Sequence, residues 1–317
     1  MKVAVLKGGN SLERTVSLRS GARVEDALAR LGHEVVAIDV GADLVDRLQA
    51  ERPDVAFVAL HGRGGEDGTV QELLELVGIP YTASRPGACI RCMDKVVAKH
   101  LLRDAGIPTP DFYAFSQAAF RELGAAKALP VIEQRLDFPI VVKPAGQGSA
   151  LGIKFARTAA DVPNALVSAF SYDSKVILER YVPGRDLAVS VIESVDGPQA
   201  LPVVEAIPVE EHFYDFEARY EIGRTRFVCP ADLPAEVTAR AQELALATWK
   251  VLGWSGFARV DLLYMADGKD ELTVLEANAI PGLTDTSLLP LAAEAAGIGF
   301  DDFVARVLDL AVQRTPA

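Results

Sequence analysis

The densest group of chemistry-bearing side chains lies in GFARVDLLYMADGKDELTVLEAN, Gly256–Asn278. Two apolar runs flank a stretch rich in Asp and Gly, the signature of a β-hairpin. Successive strand side chains point to opposite faces. Arg259 and Asp261 therefore share one face, as do Glu276 and Asn278. A turn centred near Gly268–Lys269 sets Asp261 opposite Glu276 and Arg259 opposite Asn278, and leaves Val260, Leu262, Leu275 and Ala277 to face a core. Asp, Glu and Asn oxygens beside one guanidinium suit Mg²⁺, a hard ion that shares its coordination with substrate phosphates. Zinc is disfavoured, because no His or Cys joins the cluster. The same pattern also describes a solvated hairpin face with cross-strand pairs, each contributing a few tenths to about 1 kcal/mol. Asn278 leads into Ala279-Ile280-Pro281-Gly282, a turn able to present backbone N–H groups beside that face.

Anion-handling elements are dispersed. No G-x-x-x-x-G-K-[ST] pattern occurs. The loop KPAGQGSALG, Lys143–Gly152, joins two expected strands, so it reads either as a flap whose N–H groups fold over phosphates or as a plain surface hairpin. Lys143 at the strand end offers a point charge. Gly8-Gly9-Asn10-Ser11 ends one strand just before a helix, a place that favours anions, yet Glu13 in the same spot suits an ammonium group or simply complements the helix dipole. His61 follows a strand directly and opens the glycine-rich loop His61–Gly68, a better functional position than His33, His100 or His212. Cys89 and Cys92 have C-x-x-C spacing, but Cys229 stands alone, so packing is preferred over zinc or redox chemistry.

The surrounding elements must position these groups. Strands over Lys2–Lys7, Glu34–Asp39 and Asp54–Leu60 alternate with helices over about Arg14–Leu31 and Ala42–Ala50, then Thr69–Val77. Repeated βα units predict a parallel sheet with ligands at the carboxyl ends of its strands. A helix over Asp94–Ala105 precedes a Pro108/Pro110 linker. A second unit from Phe112 to Val182 has strands at Pro139–Lys143, Ile153–Ala156 and Lys175–Glu179 and a helix near Asp161–Phe170. A strand-rich stretch, a polar and aromatic loop over Pro208–Phe227, a helix over Pro234–Leu252, the hairpin, and helices at Ser287–Ala296 and Asp301–Gln313 complete the chain. With 317 residues, half of them apolar, it is long enough for several packed units. The net charge of −12 argues against nucleic acid or an anionic membrane as partner. No apolar run reaches membrane-spanning length, and the short apolar start does not resemble a signal peptide, so a cytoplasmic location is expected.

In order, GGNSLERTVSLRSG, ALHGRGGEDG, MDKVVAKHLL, VVKPAGQGSALG, FYDFEARY, GFARVDLL and VLEANAIPGLTDTSLLP resemble the signature blocks of the D-alanine–D-alanine ligases, a family of ATP-grasp enzymes; the match runs from residue 1 to about 310. The resemblance implies an α/β fold, α+β in its lid: a Rossmann-like substrate domain over 1–94, an ATP-grasp lid over 95–182 and a catalytic ATP-grasp domain over 183–317. It implies D-alanine and ATP as substrates, with roles carried over residue by residue, and two Mg²⁺ ions (Mn²⁺ able to stand in) on Asp261, Glu276 and Asn278. Lys95, Lys143 and Arg219 would meet ATP phosphates; Glu179, Tyr181 and Val182 the adenine side; Asp186 the ribose. Glu13, with His61 nearby, would bind the first D-alanine's ammonium, and Ser287 and Leu288 the second's carboxylate. Arg259 and Gly282 would stabilise the oxyanion, while Ser149 and Tyr220 would latch loops over Glu13. A homodimer is implied.

Three positions depart from the family pattern. Ala150 replaces a second serine, Arg219 a lysine, and Ala279 a threonine. They motivate one alternative, a non-catalytic ATP- or amino-acid-binding relative; the other alternative is an ATP-grasp ligase for different amino acids. Relatives that make D-alanyl-D-lactate replace the lid tyrosine; Tyr220 is retained, which favours an amine nucleophile and D-alanine over D-serine.

Overall fold

The computed structural model describes residues 1–209, 224–266 and 271–314. Strands β1 (Lys2–Lys7), β2 (Glu34–Asp39) and β3 (Val55–Val58) form a parallel sheet in the order β2-β1-β3. Helices α1 (Arg14–Arg30) and α2 (Leu44–Glu51) make the crossovers. Val3–Leu6 and Val55–Val58 are fully buried, as expected for strands covered on both faces. After the loop His61–Gly68 comes α3 (Thr69–Val77). The next helix, α4 (Pro86–Met93), is absent from the sequence-based expectation; proline occupies its first turn. It buries Cys89 and Cys92 as free thiols. Burial pushes the Cys89 thiol up to about 12, which leaves it unreactive and agrees with a packing role.

Helix α5 (Lys95–Asp104) is capped by Asp94, whose carboxylate accepts from the N–H groups of Val96 and Val97. Beyond it, β4 (Phe112–Ser116), β5 (Ile140–Pro144), β6 (Lys154–Ala156) and β7 (Lys175–Arg180) form an antiparallel sheet in the order β4-β7-β5-β6. Helices α6 (Gln117–Glu122), α7 (Leu129–Leu136) and α8 (Val162–Phe170) accompany it. Ile132, Leu136, Ile140, Val142, Val176 and Leu178 belong to a core of its own.

A larger sheet contains β8 (Arg185–Ser194), β9 (Gly197–Ala200), β10 (Val204–Pro208), β11 (Thr225–Val228), β12 (Phe257–Met265) and β13 (Glu271–Asn278), all antiparallel. Its path is β11-β10-β8-β12-β13, with β9 against the far half of β8. Helices α9 (Ala235–Leu252), α10 (Leu288–Ala295) and α11 (Phe300–Gln313) complete it. Its core runs without a break into that of the parallel sheet. Helix α11 lies on α1, where Arg30 and Asp301 form a two-pronged ion pair at 2.6 and 2.8 Å. No described helix is long and apolar enough to cross a membrane.

Candidate active site

The hairpin register pairs Arg259 with Asn278 and Asp261 with Glu276, the alignment that side-chain alternation predicts. Its turn, residues 267–270, lies outside the described residues. One element differs from expectation. A bulge after Asp261 pairs Leu262 with Val274 rather than Leu275. The extra residue breaks the alternation. Val274 takes the core position, and Leu275 instead lines a cleft with Leu263 and Glu276. On the other side of β12, Asp186 of β8 is opposite Leu263.

The polar face is dense with ion pairs. Arg259 donates from Nε and Nη2 to the two Asp261 oxygens at 2.6 and 2.9 Å, and Asn278 Nδ2 donates to Asp261 Oδ2 at 3.3 Å. Glu276 pairs with Lys95 Nζ at 2.8 Å. Burial alone would lower the Lys95 pKa, but the Glu276 carboxylate more than offsets it and holds the ammonium above its ordinary value. No described cluster has three His, Cys, Asp or Glu groups disposed to hold a metal. Two carboxylates and an amide oxygen nevertheless fit Mg²⁺, which takes few protein ligands and fills its shell with phosphate and water oxygens.

The cleft beside this face encloses about 830 Å³ out to its mouth. Lys95, Lys143, Glu179, Tyr181, Val182 and Asp186 all line it. Apolar walls come from Val141, Ile153 and Phe155, the last meeting Tyr181 edge to face at 5.8 Å between centroids. Lys95 sits at the hairpin end beside Glu276, whereas Lys143 and Lys99 sit beside Glu179 of β7, next to the apolar Phe155–Tyr181 wall. Lys143 and Glu179 are buried and in direct contact. Lys99 also lines the cleft and pairs with Glu179 at 2.8 Å, a role the sequence reading misses. Its signal was the i, i+4 spacing from Lys95, which puts both lysines on one face of α5.

Glu13 lies beyond this lining, against the glycine loop at Gly148. It immediately precedes α1 and is buried. Ser149 in the glycine loop donates directly to its carboxylate. Ser149 and Ala150 have φ of +52° and +59°, a left-handed conformation strained for residues other than glycine. Lys95 Nζ also donates to the Gln147 carbonyl, so the loop is tied at both ends of the site. Burial, and then the charge of Glu66, push the Glu13 carboxyl up to about 7 against the pull of the Ser149 hydrogen bond.

His61 is engaged within the protein at both ring nitrogens. Nδ1 lies 3.1 Å from the Ile280 carbonyl and 3.2 Å from Glu66 Oε1, so two acceptors require the proton there. Ser20 Oγ then donates to Nε2 at 2.9 Å and accepts from the Leu283 N–H at 3.1 Å. His61 thus ties α1 and its own loop to the turn after β13. Arg23 adds donations to the carbonyls of Leu283 and Thr284. In that turn a Cβ on Gly282 would meet Ser287 Oγ at 2.7 Å, so a side chain there would displace the Ser287 hydroxyl. Ser287 precedes α10, and Leu288 opens it, where helix N–H groups favour an anion. Tyr220 and Arg219 lie outside the described residues.

A lysine-lined cleft between an antiparallel sheet and a carboxylate-bearing hairpin, with a Rossmann-like unit closing one end, is the architecture of ATP-grasp ligases. Residues 42–84 match the sequence profile described as D-ala D-ala ligase N-terminus and residues 101–309 that described as D-ala D-ala ligase C-terminus. A D-alanine–D-alanine ligase from Moorella thermoacetica is 43% identical over 313 residues, covering 99% of this chain and 100% of the relative. Crystal structures of a D-alanine–D-alanine ligase from Bacillus anthracis superpose with TM-scores of 0.83 and, complexed with ATP, 0.82, at 34% and 32% identity; each covers 99% of this chain and 98% of its own. The chain belongs to the D-alanine–D-alanine ligase family.

Proposed function

We propose that the protein joins two D-alanines into D-alanyl-D-alanine, converting ATP to ADP and phosphate, as a step in peptidoglycan precursor synthesis. The observation that carries this reading is the glycine loop that joins two charged groups: Ser149 ties it to the buried carboxylate Glu13, suited to an ammonium, and Gln147 ties it to Lys95, which lines the cleft with Lys143 and Glu276. Near-full-length identity to ligases of this name supports the substrate pair.

In the first step a carboxylate oxygen of D-alanine attacks the γ-phosphorus of ATP. The new O–P bond forms as the bond to the β-phosphate oxygen breaks, giving an acyl phosphate and ADP. Two anions have to approach each other, and Lys95 and Lys143 offset their repulsion. Asp261, Glu276 and Asn278 would hold Mg²⁺, which supplies charge neutralisation on phosphoryl oxygens when bound. In the second step the free amine of another D-alanine attacks the acyl carbon. A C–N bond forms, the nitrogen loses its proton, and phosphate leaves with the C–O electron pair. Arg259, with the N–H of Gly282, serves the oxyanion of the tetrahedral intermediate, and Ser287 with the Leu288 N–H holds the second carboxylate. Glu179, Tyr181 and Val182 serve the adenine, Asp186 the ribose and Arg219 the phosphates. Ser149 and Tyr220 close over the site and keep water from the acyl phosphate. His61 acts by fixing the Ile280 turn.

The organisation that goes with this reading has a substrate domain over 1–94, a lid over 95–182 and a catalytic domain over 183–317, in a cytoplasmic homodimer. The test is ADP release across a panel of D- and L-amino acids, D-serine and D-lactate included, with ATP and Mg²⁺. D-Alanine alone should support the highest turnover and yield the dipeptide. Preference for another amino acid would overturn the substrate assignment, and no ADP release with any of them would overturn the ligase reading.

A further inference from the structure

Lys99 has no part in the scheme above, yet it is one of the most buried cations in the molecule, 3% exposed. Its Nζ lies 2.8 Å from Glu179 Oε2, donates to Thr109 Oγ1 and sits 5.5 Å from the centre of the Phe112 ring. The other Glu179 oxygen, Oε1, holds Lys143. One buried carboxylate is therefore shared by two ammonium groups, and the trio carries a net charge of +1 in the wall of the cleft. Burial pushes the Glu179 carboxyl up, but Lys143 and Lys99 together override it and hold it below the ordinary carboxylate range. Burial lowers the Lys99 pKa, assisted by the neighbouring charges of Lys143 and Arg103 and opposed by Glu179.

This sharing resolves a conflict of roles. A lysine bound to a buried carboxylate and also needed by a phosphate can serve the second only by leaving the first. With two members alone, Lys143 and Glu179 would form a neutral, closed pair. Withdrawing the lysine would strand a buried anion, which is strongly penalised. A third group that stays with the carboxylate removes that penalty. Lys99 is built to stay, because it rises from the first turns of α5 and is held there by Thr109 and Phe112.

We propose that Lys99 is a positioning residue: it is the permanent counter-ion of Glu179, and by remaining there it releases Lys143 to the phosphates of the nucleotide. The inference rests on reading this cleft as the ATP site.

Steady-state kinetics of the full-length protein test it. Lys99→Met should raise the KM for ATP at least tenfold while the KM for each D-alanine changes less than twofold. The fold should persist, because a neutral Lys143–Glu179 pair remains. Lys99→Gln, which keeps a hydrogen-bonding group near Thr109 but no charge, should show the same loss. In a Glu179→Gln background the Lys99→Met change should cost less than twofold in ATP KM, because no carboxylate remains to retain Lys143. The proposal is overturned by an unchanged ATP KM in Lys99→Met, by wild-type behaviour of Lys99→Gln, or by equal losses in both backgrounds. Lys143→Met separates the two layers. An unchanged ATP KM there, in a protein still turning over D-alanine, would refute the phosphate assignment of the cleft itself.

Discussion

Glu13 makes the sharpest prediction because its proposed role and its environment pull in opposite directions. An ammonium of D-alanine needs the carboxylate, whereas the site favours the acid. Glu13 is 5% exposed, and burial followed by the Glu66 charge raises its carboxyl from 4.5 to about 7. For one group titrating near 7, about one tenth is ionised at pH 6 and about nine tenths at pH 8. The kcat/KM for the first D-alanine should therefore fall about tenfold between pH 8 and pH 6. A glutamate at its ordinary value would stay almost wholly ionised across that interval and give a flat profile. The assay is initial-rate ADP formation at saturating ATP, with D-alanine varied in the range that fills the first site, in overlapping buffers from pH 5.5 to 8.5. The second D-alanine must shed its own ammonium proton, so its KM is fitted separately. A change under twofold in the first-site constant between pH 8 and pH 6 would refute the reasoning.

The same shift fixes a stability effect of known sign. An acid whose folded pKa is raised is penalised when ionised, so its cost is absent below about 4.5, grows as pH rises, and is complete above about 7. The size is about 3 kcal/mol at pH 8. Glu13→Gln keeps an oxygen acceptor for Ser149 and removes the charge. It should unfold at higher temperature than the wild type at pH 8, lose that advantage as pH approaches 4.5, and lose first-site capture throughout. An equal or lower midpoint at pH 8 would count against the buried, strained carboxylate.

Two further substitutions probe the site. Glu276→Gln and Asp261→Asn should each cut turnover by about 10²–10⁴, the scale of losing phosphoryl charge neutralisation, with the circular dichroism spectrum unchanged; activity within twofold of wild type in both would remove the metal assignment. Gly62→Ala should raise the first D-alanine's KM several-fold with little change in that for ATP, because Gly62 has φ +72° and a Cβ there would stand 2.7 Å from Glu13 Oε2; an unaltered D-alanine KM would show that Glu13 is not the anchor.

Local pattern carried much of the fold and the centre of the site. The strands at Lys2–Lys7 and Glu34–Asp39 and the helix Thr69–Val77 have the expected bounds, because apolar runs between glycine turns leave few alternatives. Alternation alone aligned Asp261 with Glu276 and Arg259 with Asn278. It failed at Leu275, since a bulge is decided by how two strands fit the core beneath them and has no local signature in the hairpin. Helix α4 was missed for a related reason. Its stretch is short and mixes apolar with charged residues, and it is fixed by packing against α5 and β13 rather than by its own pattern.

Lys99 shows where such reading stops. On α5 the spacing from Lys95 puts it on the same face, but nothing in the local sequence names the carboxylate that demands its burial. The reason for it lies 80 positions away, where Glu179 presents its second oxygen from β7. Long-range pairing of this kind is a property of the sheet order β4-β7-β5-β6, which brings Glu179 beside Lys143 and both over α5. A site made of single catalytic groups is legible residue by residue. A site whose groups must hand partners to one another, as Lys143 would between Glu179 and a phosphate, becomes legible only when the third member of the exchange is seen in place.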